Sequence, residues 1–261
     1  MRLTSKIRNA ISLVILGISV LVWVLLLANP GHIMGVAHCH VSDSGPSTAS
    51  LQMLLEMNAI SSLLLGWGLM VVAMMLPKLI FPIQQIYTRS LKRRRFLSAL
   101  LFVFGYVAVW MVVGVFMTAA ILGLHLLMPN SYVPAIGLGI VAIVWQFSPI
   151  KQRCLNRGHD HWTLAAFGWA ANRDALLFGV MHGVWCVGSG WALMLLPMLL
   201  PKGHGLVMII VTFIMISEHF EHPQVPRWRI DLRGKLFRII VAQTRIMLKR
   251  APTQLNDATF N

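Results

Sequence analysis

The sequence predicts an all-α, polytopic membrane protein. The expected architecture is a bundle of about six transmembrane helices, both termini cytoplasmic, with a cytoplasmic amphipathic helix near the C-terminus. Three observations predict it. The 261 residues are 57% hydrophobic and 11% charged, against about 25% charged in an ordinary soluble domain. So few charges cannot cover a water-exposed surface of this size, and a bilayer is the solvent that suits the composition. The apolar residues gather into runs approaching the roughly 20 residues that one crossing needs. Lysine and arginine, finally, fall in alternate connections between those runs.

The first run covers about 10–28 and is stopped by Asn29-Pro30-Gly31. Its basic start (Arg2, Lys6, Arg8) is shared with cleaved signal peptides. The apolar stretch is longer than a signal core, however, and no small-x-small cleavage site follows, so it is read as a retained helix. The second run, about 59–76, follows an amphipathic lead-in over 51–58 and is closed by Pro77. The third is about 96–128, the fourth about 133–148 ending at Pro149, the fifth about 175–200 and the sixth about 205–217. Residues 1–222 thus form one transmembrane domain, 223–250 an interfacial helix and 251–261 a disordered tail.

Orientation follows from charge. Every one of the 22 Lys and Arg residues except Lys202 falls on alternate segments: the N-terminus, the connection with Lys78 and Arg89–Arg95, the connection from Lys151 to Arg173, and the tail. A wrong helix count would scramble that alternation. The net charge of +14 is accounted for by topology and anionic headgroups, and no nucleic acid is required. Between Arg227 and Arg250, Leu232, Leu236, Ile239, Ile240, Ile246 and Met247 share one helical face, with Lys235, Arg238, Arg245 and Lys249 opposite. That pattern suits a helix lying on the cytoplasmic leaflet; a helix packed on a protein partner is the alternative.

No phosphate-binding loop, zinc-protease helix or nucleophile elbow occurs, and no acid/base pair lies within a span, which leans away from an enzyme. Sulfur and imidazole are the notable chemistry. Sixteen methionines include Met70, Met74, Met75 and Met194 in the spans. Thioethers are soft ligands suited to Cu(I), above all beside Cys and His, yet they are also good core filler. In the fifth run His182 and Cys186, spaced i and i+4, share a face, and Gly179, Gly183 and Gly190 let another helix approach. A tightly packed helix and a functional site both fit. The first external loop holds His38-Cys39-His40, read either as metal capture or as a solvated loop. On the cytoplasmic side His159-Asp160-His161 follows Cys154, and Glu218, His219 and His222 end the sixth run.

The stretch Gly66-Trp67-Gly68-Leu69-Met70-Val71-Val72-Ala73-Met74-Met75-Leu76-Pro77 resembles the signature of a bacterial family of predicted metal-binding integral membrane proteins, a domain of unknown function. Three further stretches agree, in order: Gly105-Tyr106 with Trp110; Trp145-Gln146-Phe147-Ser148-Pro149-Ile150-Lys151 leading to Cys154-Leu155; and His182-Gly183 through Cys186 and Gly188 to Trp191-Ala192-Leu193-Met194. Glu218 matches the family's acidic residue near the last helix end. The chain departs from the pattern where Gly158 replaces a second loop cysteine and Ser189-Gly190 replace paired cysteines, leaving Cys154 and Cys186 of the family's thiols. The resemblance implies a bacterial inner-membrane protein that handles a metal. With the soft donors it gives the expectation carried forward: copper ion bound by His182, Cys186, Met70, Met74, Met75 and Met194, with His38, Cys39 and His40 as external ligands, for transport or delivery to a membrane or periplasmic metalloenzyme. The alternative is a non-catalytic subunit that assembles a larger membrane complex.

Overall fold

The computed structural model describes residues 5–28, 60–128, 132–159, 163–165, 167–200, 203–221, 223–228, 238 and 241–243. The expected ligands His38, Cys39 and His40 lie outside the described residues, as do the lead-in over 51–58, most of the amphipathic tail and residues 251–261.

Every regular element among the described residues is helical. Helix α1, Ser5–Ala28, buries only Ile15, Ser19, Val22 and Leu26. These positions form one stripe at helical spacing, and side chains such as Leu13, at 70% exposure, project outward. An apolar outer surface of this kind is what lipid contact requires. Ser19 Oγ donates to Ala73 O at 2.7 Å and fixes α1 against α2, Ile60–Met75.

Pro77 does not end the second run. The chain passes into a 3-10 turn, Leu76–Leu79, with proline in its first turn, where its missing N–H is not needed, and continues as α3, Ile80–Arg89. Lys78 is therefore carried into the bundle rather than into a loop, and is buried. Helix α4, Arg95–Leu127, runs 33 residues, about 50 Å at the usual helical rise.

Helix α5, Val133–Gln146, meets α6, Pro149–Arg157, at a bend of 66°. The sequence dictates the break. Ser148 is the N-cap of α6, its side chain accepting from Lys151 N at 3.1 Å, and Pro149 occupies the first turn. Helix α7, Gly168–Met198, is followed by α8, His204–His219; Gly203 (φ 80°) precedes α8 in the left-handed region that glycine tolerates.

The main seam joins α4 to α7, backbone against backbone. A Cβ added at Gly179 would stand 2.1 Å from Phe102 O, and one at Gly105 would stand 2.6 Å from Leu176 O. Gly190 likewise receives the Met215 methyl of α8. The glycines expected to admit neighbours do so, as small residues do in membrane helix packing.

Four segments are long and apolar enough to cross a membrane: Ser5–Ala28, Ile60–Arg89, Arg95–Leu124 and Gly168–Met198; the bent α5–α6 pair would make a fifth. Helix α8, at 16 residues, is a shorter apolar helix. The all-helical class stands, with four or five crossing candidates where the sequence suggested six. The fifth run begins earlier than expected, at Gly168 rather than near 175.

Candidate thiol and thioether site

Helix α7 presents His182 and Cys186, both 7% exposed, toward α2, the 3-10 turn and α4. Three groups meet the Cys186 sulfur. Tyr106 Oη donates to it at 3.1 Å, Lys78 Nζ donates at 3.6 Å, and Met75 Sδ lies 4.0 Å away. Met75 is thus the methionine brought against the thiol; Met70, Met74 and Met194 are fully buried in the same apolar core. The His182 ring packs among Phe102, Tyr106 and Phe178 at centroid distances of 5.8, 5.9 and 6.1 Å.

A cavity of about 20 Å³ adjoins the thiol, lined by Lys78, Cys154, His159, His182, Cys186 and His219. That is room for about one water or one ion. Cys154 reaches it from α6, packed so closely on α7 that a methyl at Gly188 would lie 2.7 Å from its sulfur. His159 and His219 stack, centroids 5.4 Å apart and planes 21° apart. His159 Nδ1 pairs with Leu155 O at 2.9 Å and Nε2 with His219 O at 3.1 Å. Soft donors from three helices and a connecting turn therefore face one small space. Among the described residues, no group of three or more His, Cys, Asp or Glu converges as a ready-made metal site.

The donor chemistry nevertheless suits a soft ion. Two sulfurs 4.0 Å apart can both reach a single ion at bond lengths of about 2.3 Å.

Helix α6 is held by a buried polar triad. Lys151 Nζ pairs with Glu218 Oε1 at 2.8 Å, with the two side chains 0% and 3% exposed. The Gln146 amide bonds both, its Oε1 accepting from Lys151 and its Nε2 donating to Glu218. Glu218 thus ties α8 to α6 and positions Cys154; it does not point at the cavity alongside His219. His161 and His222, the other expected cytoplasmic donors, lie outside the described residues.

Two site residues were missed from sequence as contributors to the sulfur environment, Lys78 and Tyr106. Lys78 was counted with the loop cations, although Leu79-Ile80-Phe81-Pro82-Ile83 directly after it is apolar, so that it stands alone inside an apolar stretch. In the sequence Tyr106 stands out only through the Gly105-Tyr106 motif.

A family model described as PpoB2, copper chaperone, matches residues 64–237. The matched stretch contains α2 from residue 64, all of α3 through α8 and all of the site residues just described, and excludes α1 and residues 38–40. No curated protein and no solved structure matches the chain.

Proposed function

We propose, from the premise that the chain belongs to the copper chaperone family PpoB2, that it is a membrane-embedded copper-handling protein whose cargo is held at Cys186. The observation that carries this reading is the Cys186 sulfur buried against Met75, Tyr106 and Lys78. An inert structural cysteine packs among apolar groups; a soft ligand, a hydroxyl and a cation around one sulfur form a coordination environment.

In this reading Cu(I) displaces the thiol proton of Cys186, because metal binding requires the thiolate. Met75 supplies a neutral second sulfur. Cys154, across the small cavity, is the exchangeable third donor through which cargo moves on, and His182 and His219 complete the donor lining. Delivery is to a membrane or periplasmic metalloenzyme. The chain crosses the bacterial inner membrane six times with both ends cytoplasmic, and its basic tail lies on anionic headgroups. The cavity then opens at the end of the bundle that bears the basic connections.

The test is Cu(I) titration of the detergent-purified chain against a chromophoric chelator. Wild type should retain about one Cu(I) per chain after stripping of loosely bound ion. Cys186→Ala should lose it, and Met75→Leu should weaken it about tenfold, which is about 1.4 kcal/mol. Retention of stoichiometric copper by Cys186→Ala, with unchanged helix content and elution, would overturn the assignment. Stable co-purification of a partner together with full function of a His182→Ala, Cys186→Ala variant would support the assembly-subunit reading instead.

A further inference from the structure

Lys78 and Lys151 are both buried in this bundle, but only one of them meets a carboxylate. Lys151 is neutralised by Glu218 at 2.8 Å. Lys78 pairs with no Asp or Glu among the described residues, and its ammonium is turned to the Cys186 sulfur at 3.6 Å. No Asp or Glu lines the cavity beside that sulfur either, so Lys78 is the one fixed charge among its described walls. A buried cation without a carboxylate is costly. An apolar side chain would fill the Pro77 corner without that cost, so the lysine calls for an explanation at the site it faces.

The charge balance of metal binding supplies one. A monovalent ion that binds Cys186 takes the place of the thiol proton: the S–H bond breaks, the sulfur–metal bond forms, and the proton leaves to solvent. One positive charge replaces another, and the ammonium meets nothing new. A divalent ion making the same exchange leaves one extra positive charge behind. Any ion about 2.3 Å from the sulfur lies within about 6 Å of the Lys78 nitrogen, because that nitrogen is itself 3.6 Å from the sulfur. At an effective dielectric of about 20, one extra unit charge at that separation lowers affinity roughly a hundredfold. The flexible lysine stem can lean away and relieve part of this, which leaves about tenfold as the least expected effect.

We propose that Lys78 is the specificity-determining residue of the thiol site, a fixed positive charge that admits a monovalent soft ion and penalises a divalent one. The proposal rests on the copper-handling reading above. Donor softness alone does not separate the two, because thiolates also bind divalent zinc. Met75 and Tyr106, the other groups at the sulfur, are neutral and respond to both ions alike. The two ions differ by one unit of charge whichever neutral donors complete the coordination, so the discrimination belongs to the lysine.

The experiment compares Cu(I) with Cd(II), a soft divalent ion, on the full-length chain in detergent. The parent carries Cys39→Ser and Cys154→Ala, which leaves Cys186 as its one thiol. Cd(II) is followed by sulfur-to-metal charge-transfer absorbance, which reports only sulfur-bound ion, and Cu(I) by competition with a chromophoric chelator. Lys78→Leu should lower the ratio of Cu(I) to Cd(II) affinity about tenfold or more, chiefly through tighter Cd(II) binding. Lys78→Gln, polar but neutral, should do the same, and Lys78→Arg should keep the parent ratio. Exchanging a buried cation that lacks a carboxylate for a neutral group should leave folding unharmed, with the melting temperature as the control. A role in packing alone would move both affinities together. A ratio unchanged or raised in the two neutral variants would overturn the proposal and leave copper at Cys186 standing. A parent that binds no Cu(I) would instead sink the copper site, and the valence filter with it.

Discussion

Removing one partner of the Lys151–Glu218 pair should destabilise the protein far more than removing both. The two charged atoms are 2.8 Å apart and the side chains are 0% and 3% exposed. At an effective dielectric of about 20 their Coulomb attraction is roughly 6 kcal/mol. Desolvation takes back several kcal/mol per ion, so the intact pair contributes little relative to well-packed apolar residues. Lys151→Met alone leaves the Glu218 carboxylate buried with only the Gln146 amide for company, at a cost of about 3–5 kcal/mol. For a chain of this size that is a fall of about 10 °C in the melting temperature. Lys151→Met with Glu218→Leu should recover most of the loss. The assay is thermal unfolding in detergent, followed by tryptophan fluorescence across the wild type, both single variants and the double variant. Losses in the double variant equal to the sum of the singles would refute the reasoning, as would a single variant within 0.5 kcal/mol (about that range is usual for surface substitutions).

Three further outcomes are expected. Gly179→Ala should cost about 3 kcal/mol or more, beyond ordinary overpacking, because its new methyl meets the Phe102 carbonyl rather than a movable side chain; Gly137→Ala, with nothing within 4 Å, should be neutral in the same melt. Ser148→Ala removes the N-cap of α6 at about 1 kcal/mol, and should be read out as faster alkylation of Cys154 with Cys186 substituted. In a cysteine-free background, Ser42→Cys should react with a membrane-impermeant maleimide in intact cells and Arg94→Cys only after permeabilisation. The reverse pattern would invert the proposed orientation.

Much of the fold was legible because helix ends in this chain are marked by local chemistry. Ser148-Pro149 ends α5 and caps α6, and the glycines of α7 announce a close neighbour. The one misread mark was Pro77. Proline forbids a donor but not a first turn, and the chain turns the corner through a 3-10 segment. The site was legible where its parts share a helix, as His182 and Cys186 do at i and i+4. It was illegible where it depends on packing between distant segments: no local pattern says that Cys154 will face the same space as Cys186. The methionines show the limit of composition. Four equally buried sulfurs were equivalent as sequence, and packing alone selects Met75 as the one against the thiol.

Lys78 has a consequence for how the protein comes to be made. Its sulfur acceptor lies 108 residues further along the chain. While the ribosome is still producing α5, the Lys78 ammonium has not yet met Cys186, and its flexible stem can still reach water. Formation of the Lys78–Cys186 contact must therefore await the emergence of α7, which makes closure of this buried thiol environment a late step of folding.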